Sequence, residues 1–487
     1  MLKAFYFKVH RFLTRGIPDI SAELLGIYRA AFALGIAFVL SELTMSYWEA
    51  PGFVIPNHAW LADWHVIRWL ANRPDLVGLL ERFTFVALML FGVGLWTRWA
   101  YGAVVLSLTV WTLVRLQHTG THPWAALFVA ILGLSIVRWS DGFSLDRQIQ
   151  RWRGLMVKTN SPKRIYGFAM WLPGLVLGTA MCGASIAKLH SSGLAWISNG
   201  SVKYHFVLDS LRAPVDWGLW VATQHWVAVG LSAGAILTEG LLIVAAFLRP
   251  GPLRTLIVIG GFALLMGFFL FQNEVWFAWW LLWACCFTPW ERLDQYFFKK
   301  RFSSAKMRPV ESDGISLTLE SKMPLAYMLI VLTVIGSQAS ASLFQFEQEP
   351  LFSDYPMYSN TYESTADFDA RADFDASFRY LIQNTAGDQD ISQLVDDLYL
   401  DEPIRDALLD ILQGQPIGLM RDRIDWISET FYERTNMTLG TVTLMRDDLE
   451  FDWTSGRISE KRPRTLITVD TDGHRVLYPT LPSELEH

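Results

Sequence analysis

Apolar residues come in long runs broken by short polar connections. A helix that crosses a bilayer needs roughly 20 of them in succession. Nine stretches approach that length: residues 23–43, 76–96, 99–117, 122–138, 165–188, 226–248, 253–272, 275–290 and 323–344. The fourth and eighth are short, so they are expected to tilt, kink or re-enter. Beyond Phe344 the pattern changes. Residues 374–383 have strand character, and 394–412 are spaced as an amphipathic helix interrupted near Pro403. Residues 464–478 read as a hairpin turning at Asp472-Gly473. The expected fold is an all-α polytopic membrane domain of about 8–9 transmembrane helices, followed by a small α+β extracytoplasmic domain. The expected divisions are 1–322, a last transmembrane helix at 323–344, and 345–487.

Composition sharpens this picture. The 487 residues are 52% hydrophobic, and the 22 Trp suit rings placed at membrane–water interfaces. Lys and Arg are unevenly spread over the connections. Those on the side of the N terminus hold 21, and those on the other side hold four: Arg68, Arg73, Lys203 and Arg212. Positive loops stay cytoplasmic. The N terminus is therefore expected in the cytoplasm, the C-terminal domain outside it, and the chain in the cell (inner) membrane. The opening segment, cationic and then apolar without a small-residue cleavage site, reads as a signal anchor.

Residues 345–487 carry 12 basic against 29 acidic residues, a net of −17. The rest of the chain is net +11. The acidic near-repeat at 366–376 lacks the Gly and terminal Glu of a calcium loop and reads as a solvated face. Cys182, Cys285 and Cys286 all sit in apolar runs, as packing residues do. No phosphate-cradling glycine loop or basic stripe is present, which argues against nucleic acid as a partner.

Ionisable residues inside spans are costly and often functional. Arg29, Glu81, Arg82, Arg115 and Glu239 fall within apolar runs, and Gln272, Asn273 and Glu274 close the seventh. His118, His122, Lys188 and His190 fall at one depth on the outer side. Lys188 is either an anchor that snorkels to the headgroups or a desolvated amine able to act as a base. Glu239 is either a neutral packing residue, a partner of Arg29, or part of a site. His122 either caps its helix or positions a substrate oxygen.

Several short motifs together resemble the membrane domain of the vitamin K-dependent gamma-carboxylase family, including its bacterial members with a horizontally transferred transmembrane domain. They are Gly183-Ala184-Ser185-Ile186-Ala187-Lys188-Leu189 followed by Trp196 and Gly200; His122 with Ser144-Leu145-Asp146; Leu25-Gly26-Ile27-Tyr28-Arg29; and Glu239. The resemblance covers about residues 20–295. It implies a reduced vitamin K or related quinol as cofactor, with O2 and CO2 as co-substrates. It also implies Lys188 as the base that deprotonates the quinol and His122 as its catalytic partner. A glutamate of a protein or peptide on the extracytoplasmic side would be carboxylated. Arg29, Glu239, Asn273 and Trp196 are the candidate cofactor-binding residues. A competing expectation is a non-enzymatic scaffold in the lipid bilayer that binds lipid or quinone and presents its acidic domain to a partner. A transporter is a third reading, but the chain shows little sign of related halves.

Overall fold

The computed structural model describes residues 10, 12–43, 64–71, 73–116, 122–155, 163–211, 213–303, 324–344, 362–371, 377–384, 387–397, 401–412, 417–447, 449–460, 464–471 and 475–478. The cationic start of the chain, His118 and the Asp472-Gly473 turn lie outside these residues, whereas the first apolar run, the expected signal anchor, lies within them.

The helical part comprises α1 (Ala22–Glu42), α2 (His65–Ala71), α3 (Pro74–Val93), α4 (Thr97–Arg115), α5 (His122–Gly133), α6 (Leu145–Trp152) and α7 (Arg164–Ser192). There follow α8 (Ala195–Ser198), α9 (Val202–Leu208), α10 (Trp217–Thr223), α11 (His225–Phe247), α12 (Pro252–Gln272), α13 (Phe277–Phe287), α14 (Trp290–Ser303) and α15 (Leu325–Phe344). Six of these, α1, α3, α7, α11, α12 and α15, are long and apolar enough to cross a membrane. Their outward faces carry exposed apolar side chains such as Leu34, Met89, Leu237, Ile259 and Leu329. Helix α4 is 19 residues long. Helices α5 and α13, with 12 and 11 residues, reach only about 18 and 17 Å at 1.5 Å per residue. That is little more than half of the roughly 30 Å hydrocarbon layer.

Helix α7 is the centre of the bundle. It has 29 residues, almost all buried, and packs against α5, α11, α13 and α15. Its composition makes this possible. A Cβ at Gly178 would lie 2.7 Å from the Ile243 Cα, so the backbones of α7 and α11 touch. Small residues permit such close approach between helices in lipid. Pro173 lies inside α7 and leaves the helix unbroken. The start of α1 is fastened by Ser21. Its hydroxyl accepts from the Leu24 amide at 3.2 Å, and its own amide donates to Asp294 Oδ2 at 3.0 Å.

The C-terminal part has its own core, built around Tyr380, Val395, Phe431, Val442, Leu444 and Ile467. Its five-stranded antiparallel sheet runs β2-β1-β3-β6-β7, from β1 (Ser377–Asn384), β2 (Gly387–Asp390), β3 (Thr441–Asp447), β6 (Arg464–Asp470) and β7 (Arg475–Tyr478). Strands β4 (Leu449–Asp452) and β5 (Arg457–Glu460) form a separate pair. The expected hairpin is β6–β7, with Val469 opposite Val476. The interrupted helix is resolved as α17 (Ser392–Asp397) and α18 (Asp401–Leu412), with Pro403 in the first turn of α18, where its missing N–H costs nothing. Helix α19 (Ile417–Thr435) was not expected from the apolar spacing. The first half of the acidic near-repeat forms α16 (Thr365–Arg371). There Phe368 is buried in a junction with the helical part, so this face is not wholly solvated.

Candidate functional site

Helices α7 and α11 run antiparallel, with Gly178 beside Ile243 and the Ser185 hydroxyl donating to the Ile236 carbonyl at 3.2 Å. Side chains lean toward the N terminus of their own helix. Lys188, near the C-terminal end of α7, therefore leans back into the bundle. Glu239, past the middle of α11, leans outward. The two meet, with Lys188 Nζ donating to Glu239 Oε1 at 2.8 Å and Oε2 at 2.9 Å. Both side chains are buried, with 3% and 1% exposure. Lys188 is thus no snorkelling anchor. It is a desolvated amine held by a carboxylate. Trp196 of α8, fully buried, places its ring centroid 5.5 Å from Nζ.

The pair forms one wall of a cavity of about 260 Å³. Helices α11 and α12 supply most of the remaining lining, chiefly apolar side chains and the glycines 230, 234, 260 and 267. Val202, His205 and Phe206 of α9 line one end. Gln272 reaches the same end, and its amide nitrogen donates to Asp209 Oδ2 at 2.8 Å. The result is an apolar chamber with a charged, hydrogen-bonding wall. Such a chamber suits an amphipathic ligand with a ring-sized head.

Three of the sequence-derived residues, Lys188, Glu239 and Trp196, therefore share one cavity. Arg29 and Asn273 do not join them. Arg29 lies elsewhere and does not pair with Glu239. Its guanidinium donates to the Trp139 carbonyl at 2.7 Å, to the Phe143 carbonyl, and weakly to Gly92 at 3.5 Å. Around it, Asp146 accepts from the amides of Trp96 and Thr97 at 2.7 and 2.8 Å. The Leu25–Arg29 and Ser144–Asp146 motifs thus form one structural knot that joins α1 to the α3–α4 turn. Asn273 also misses the cavity. It is exposed and caps α12 in the left-handed conformation, with φ of 55°. That position favours Asn over most residues. His122 is the first residue of α5, which packs on α7, but its side chain lies outside the described residues. His190 is exposed. Among the described residues, no group of three His, Cys, Asp or Glu is placed to hold a metal ion.

Sequence reasoning missed His205 and chose the neighbour of Gln272. Gln272 ends an apolar helix, a signal that marked both residues equally. His205 lies in a seven-residue helix inside a long connection, where apolar periodicity carries no information about facing.

Comparison of the chain with family models, with curated proteins and with solved structures gives no match.

Proposed function

We propose that the helical part of this chain binds a reduced quinone within the bilayer and takes up its hydroxyl proton at the Lys188–Glu239 pair. One observation carries the reading: a buried ion pair set into the wall of a mostly apolar cavity. A charged pair is costly to bury, and charges within membrane helices tend to mark functional sites. The cavity's about 260 Å³ lies just below the roughly 300–1,000 Å³ range of ligand sites, which suits a small head group and not a folded peptide.

When bound, a reduced quinone would supply all four electrons that dioxygen takes up, two in becoming the quinone and two from the ring double bond that becomes the epoxide, so that one oxygen ends in the epoxide and the other in water. The chain's own residues handle the proton. The amine and the carboxylate share one proton between them. A second, from the ligand hydroxyl, lands on Glu239. The Lys188 ammonium is then freed to face the negative charge left on the ligand oxygen. The resemblance assigns the base role to Lys188 alone; the proposal assigns it to the pair, and the bidentate contact supports that reading. Trp196 offers a flat face against which a ring can lie. Coupling to CO2 addition on a glutamate, with His122 assisting, extends the proposal by resemblance only.

The same proposal places the chain in the cell membrane with nine apolar segments, a cytoplasmic N terminus and an extracytoplasmic C-terminal domain. Loop charges support this placement. The test is epoxide formation from reduced 2-methyl-1,4-naphthoquinone under oxygen, with the full-length protein in lipid nanodiscs. Turnover is expected in the wild type and lost in Lys188→Ala. Equal turnover in both overturns the reading. Binding without epoxide in the wild type supports passive quinone binding, which the closed bidentate geometry of the ion pair also favours.

A further inference from the structure

Helix α9 separates the cavity from the C-terminal domain. It is seven residues long, too short to hold its shape alone. Its position is therefore set by what packs on its two faces. Val202, His205 and Phe206 line the cavity. The Val202 amide donates to the Ser232 hydroxyl at 3.3 Å, and the Phe206 ring packs 4.7 Å from Phe271. The other face carries Lys203, Tyr204 and Val207. Tyr204 is fully buried, its ring stacked 5.3 Å from Phe368 and meeting Trp453 edge-to-face at 5.4 Å. Val207 joins the same cluster with Ala222 and Phe451. The Lys203 ammonium lies 4.7 Å from the Tyr204 ring and 5.8 Å from the Trp453 ring. Just before α9, the Asn199 amide donates to the Tyr362 carbonyl at 3.2 Å.

We infer that Tyr204 and Trp453 are positioning residues, through which the C-terminal domain holds the outer wall of the cavity in place. The domain need not touch a ligand to govern its binding. It fixes α9, and α9 places His205 and Phe206. Coupling of this kind is reciprocal, so a ligand that fills the cavity also tightens the seat of the domain. The nature of the ligand rests on the function proposed above; the mechanical link does not.

The test uses the full-length protein in nanodiscs and amide hydrogen exchange. Without ligand, Trp453→Ala is expected to raise exchange over residues 202–208 by up to about tenfold, the size expected from losing aromatic pairs. Exchange within α7 should stay unchanged. Trp453→Leu, which keeps apolar bulk, is expected to give a smaller rise and serves if the alanine variant does not fold. With 2-methyl-1,4-naphthoquinone added to the wild type, exchange over residues 449–460 should fall, and Trp453→Ala should bind the compound several-fold more weakly. Unchanged exchange over 202–208 in both variants overturns the inference, as does wild-type affinity in Trp453→Ala. If the wild type binds no naphthoquinone, the proposed function falls, and the ligand-free comparison still decides the link.

Discussion

Lys188 and Glu239 meet because their helices run in opposite directions and each side chain leans toward its own N terminus. The ammonium lies 2.8 and 2.9 Å from the two carboxylate oxygens. Removing one partner leaves the other buried and unpaired, which costs roughly 3–5 kcal/mol. Lys188→Met and Glu239→Leu are therefore each expected to lower the thermal midpoint and to abolish turnover. The double variant should recover most of the stability, because an apolar pair of similar volume removes the unpaired charge. It should stay inactive. A double variant as unstable as the singles would show that the pair does not act as a unit. A double variant that turns over would remove it from the chemistry.

Arg29 and Gly94 make the opposite case. Arg29 serves the carbonyls of Trp139 and Phe143, and Arg29→Met leaves these without their donor, at roughly 1–3 kcal/mol each if they stay dry. Gly94 has φ of 76°, and a Cβ there would collide with the Arg29 guanidinium. Gly94→Ala should cost at least roughly 1–2 kcal/mol for the backbone conformation alone. Both variants are expected to unfold at lower temperature, yet to bind a naphthoquinone with wild-type affinity while folded. A selective loss of affinity would place Arg29 in the binding site after all.

Lys203 supplies a pH signature. Burial pushes its ammonium below the ordinary lysine value. A lysine whose folded value is depressed binds its proton more weakly in the folded state than in the unfolded one. Its contribution to stability therefore rises as pH climbs from the depressed value toward about 10.5. The wild-type midpoint minus the Lys203→Met midpoint should grow over that window. Below it, Lys203→Met should be as stable as the wild type or more so. A variant markedly less stable at neutral pH would show that the contacts with Tyr204 and Trp453 outweigh the burial of the charge.

Much of the helical part was legible in the sequence, because apolar runs in a bilayer report directly on helix ends. The expected spans at 23–43, 165–188 and 253–272 became Ala22–Glu42, Arg164–Ser192 and Pro252–Gln272. The pairing of Lys188 with Glu239 was not legible. It depends on the register of α7 against α11, set by the close approach at Gly178, and no span-by-span reading contains that. Arg29 misled for a related reason. An arginine in an apolar run looks alike whether it faces a ligand or caps carbonyls, and only Trp139 and Phe143, more than a hundred residues away, decide. In the C-terminal domain, β6–β7 was readable from its alternation. Helix α19 was not, because Arg421, Asp422, Arg423 and Asp425 crowd the sequence around Ile424 and mask the spacing of the buried Ile424, Ile427 and Phe431.

Membrane orientation gives the remaining prediction. Six helices have the length and apolarity to cross, while α5 and α13 are about half the needed length. Their partners make up for this. Helix α5 packs on α4, α7 and α13, and a non-spanning segment inside a bilayer requires such protein neighbours. If the 19-residue α4 also crosses and the two short segments count as two further crossings, the chain passes nine times and its ends lie on opposite sides. Alkaline phosphatase fused after Phe344 should then be active in a bacterial host, and the same reporter fused after Ser303 inactive. Equal activity at both sites would mean that α15 does not cross. The acidic C-terminal domain would then share the cytoplasmic side with the basic loops, and the cavity's outer wall, held by Tyr204 and Trp453, would have to be turned over with it.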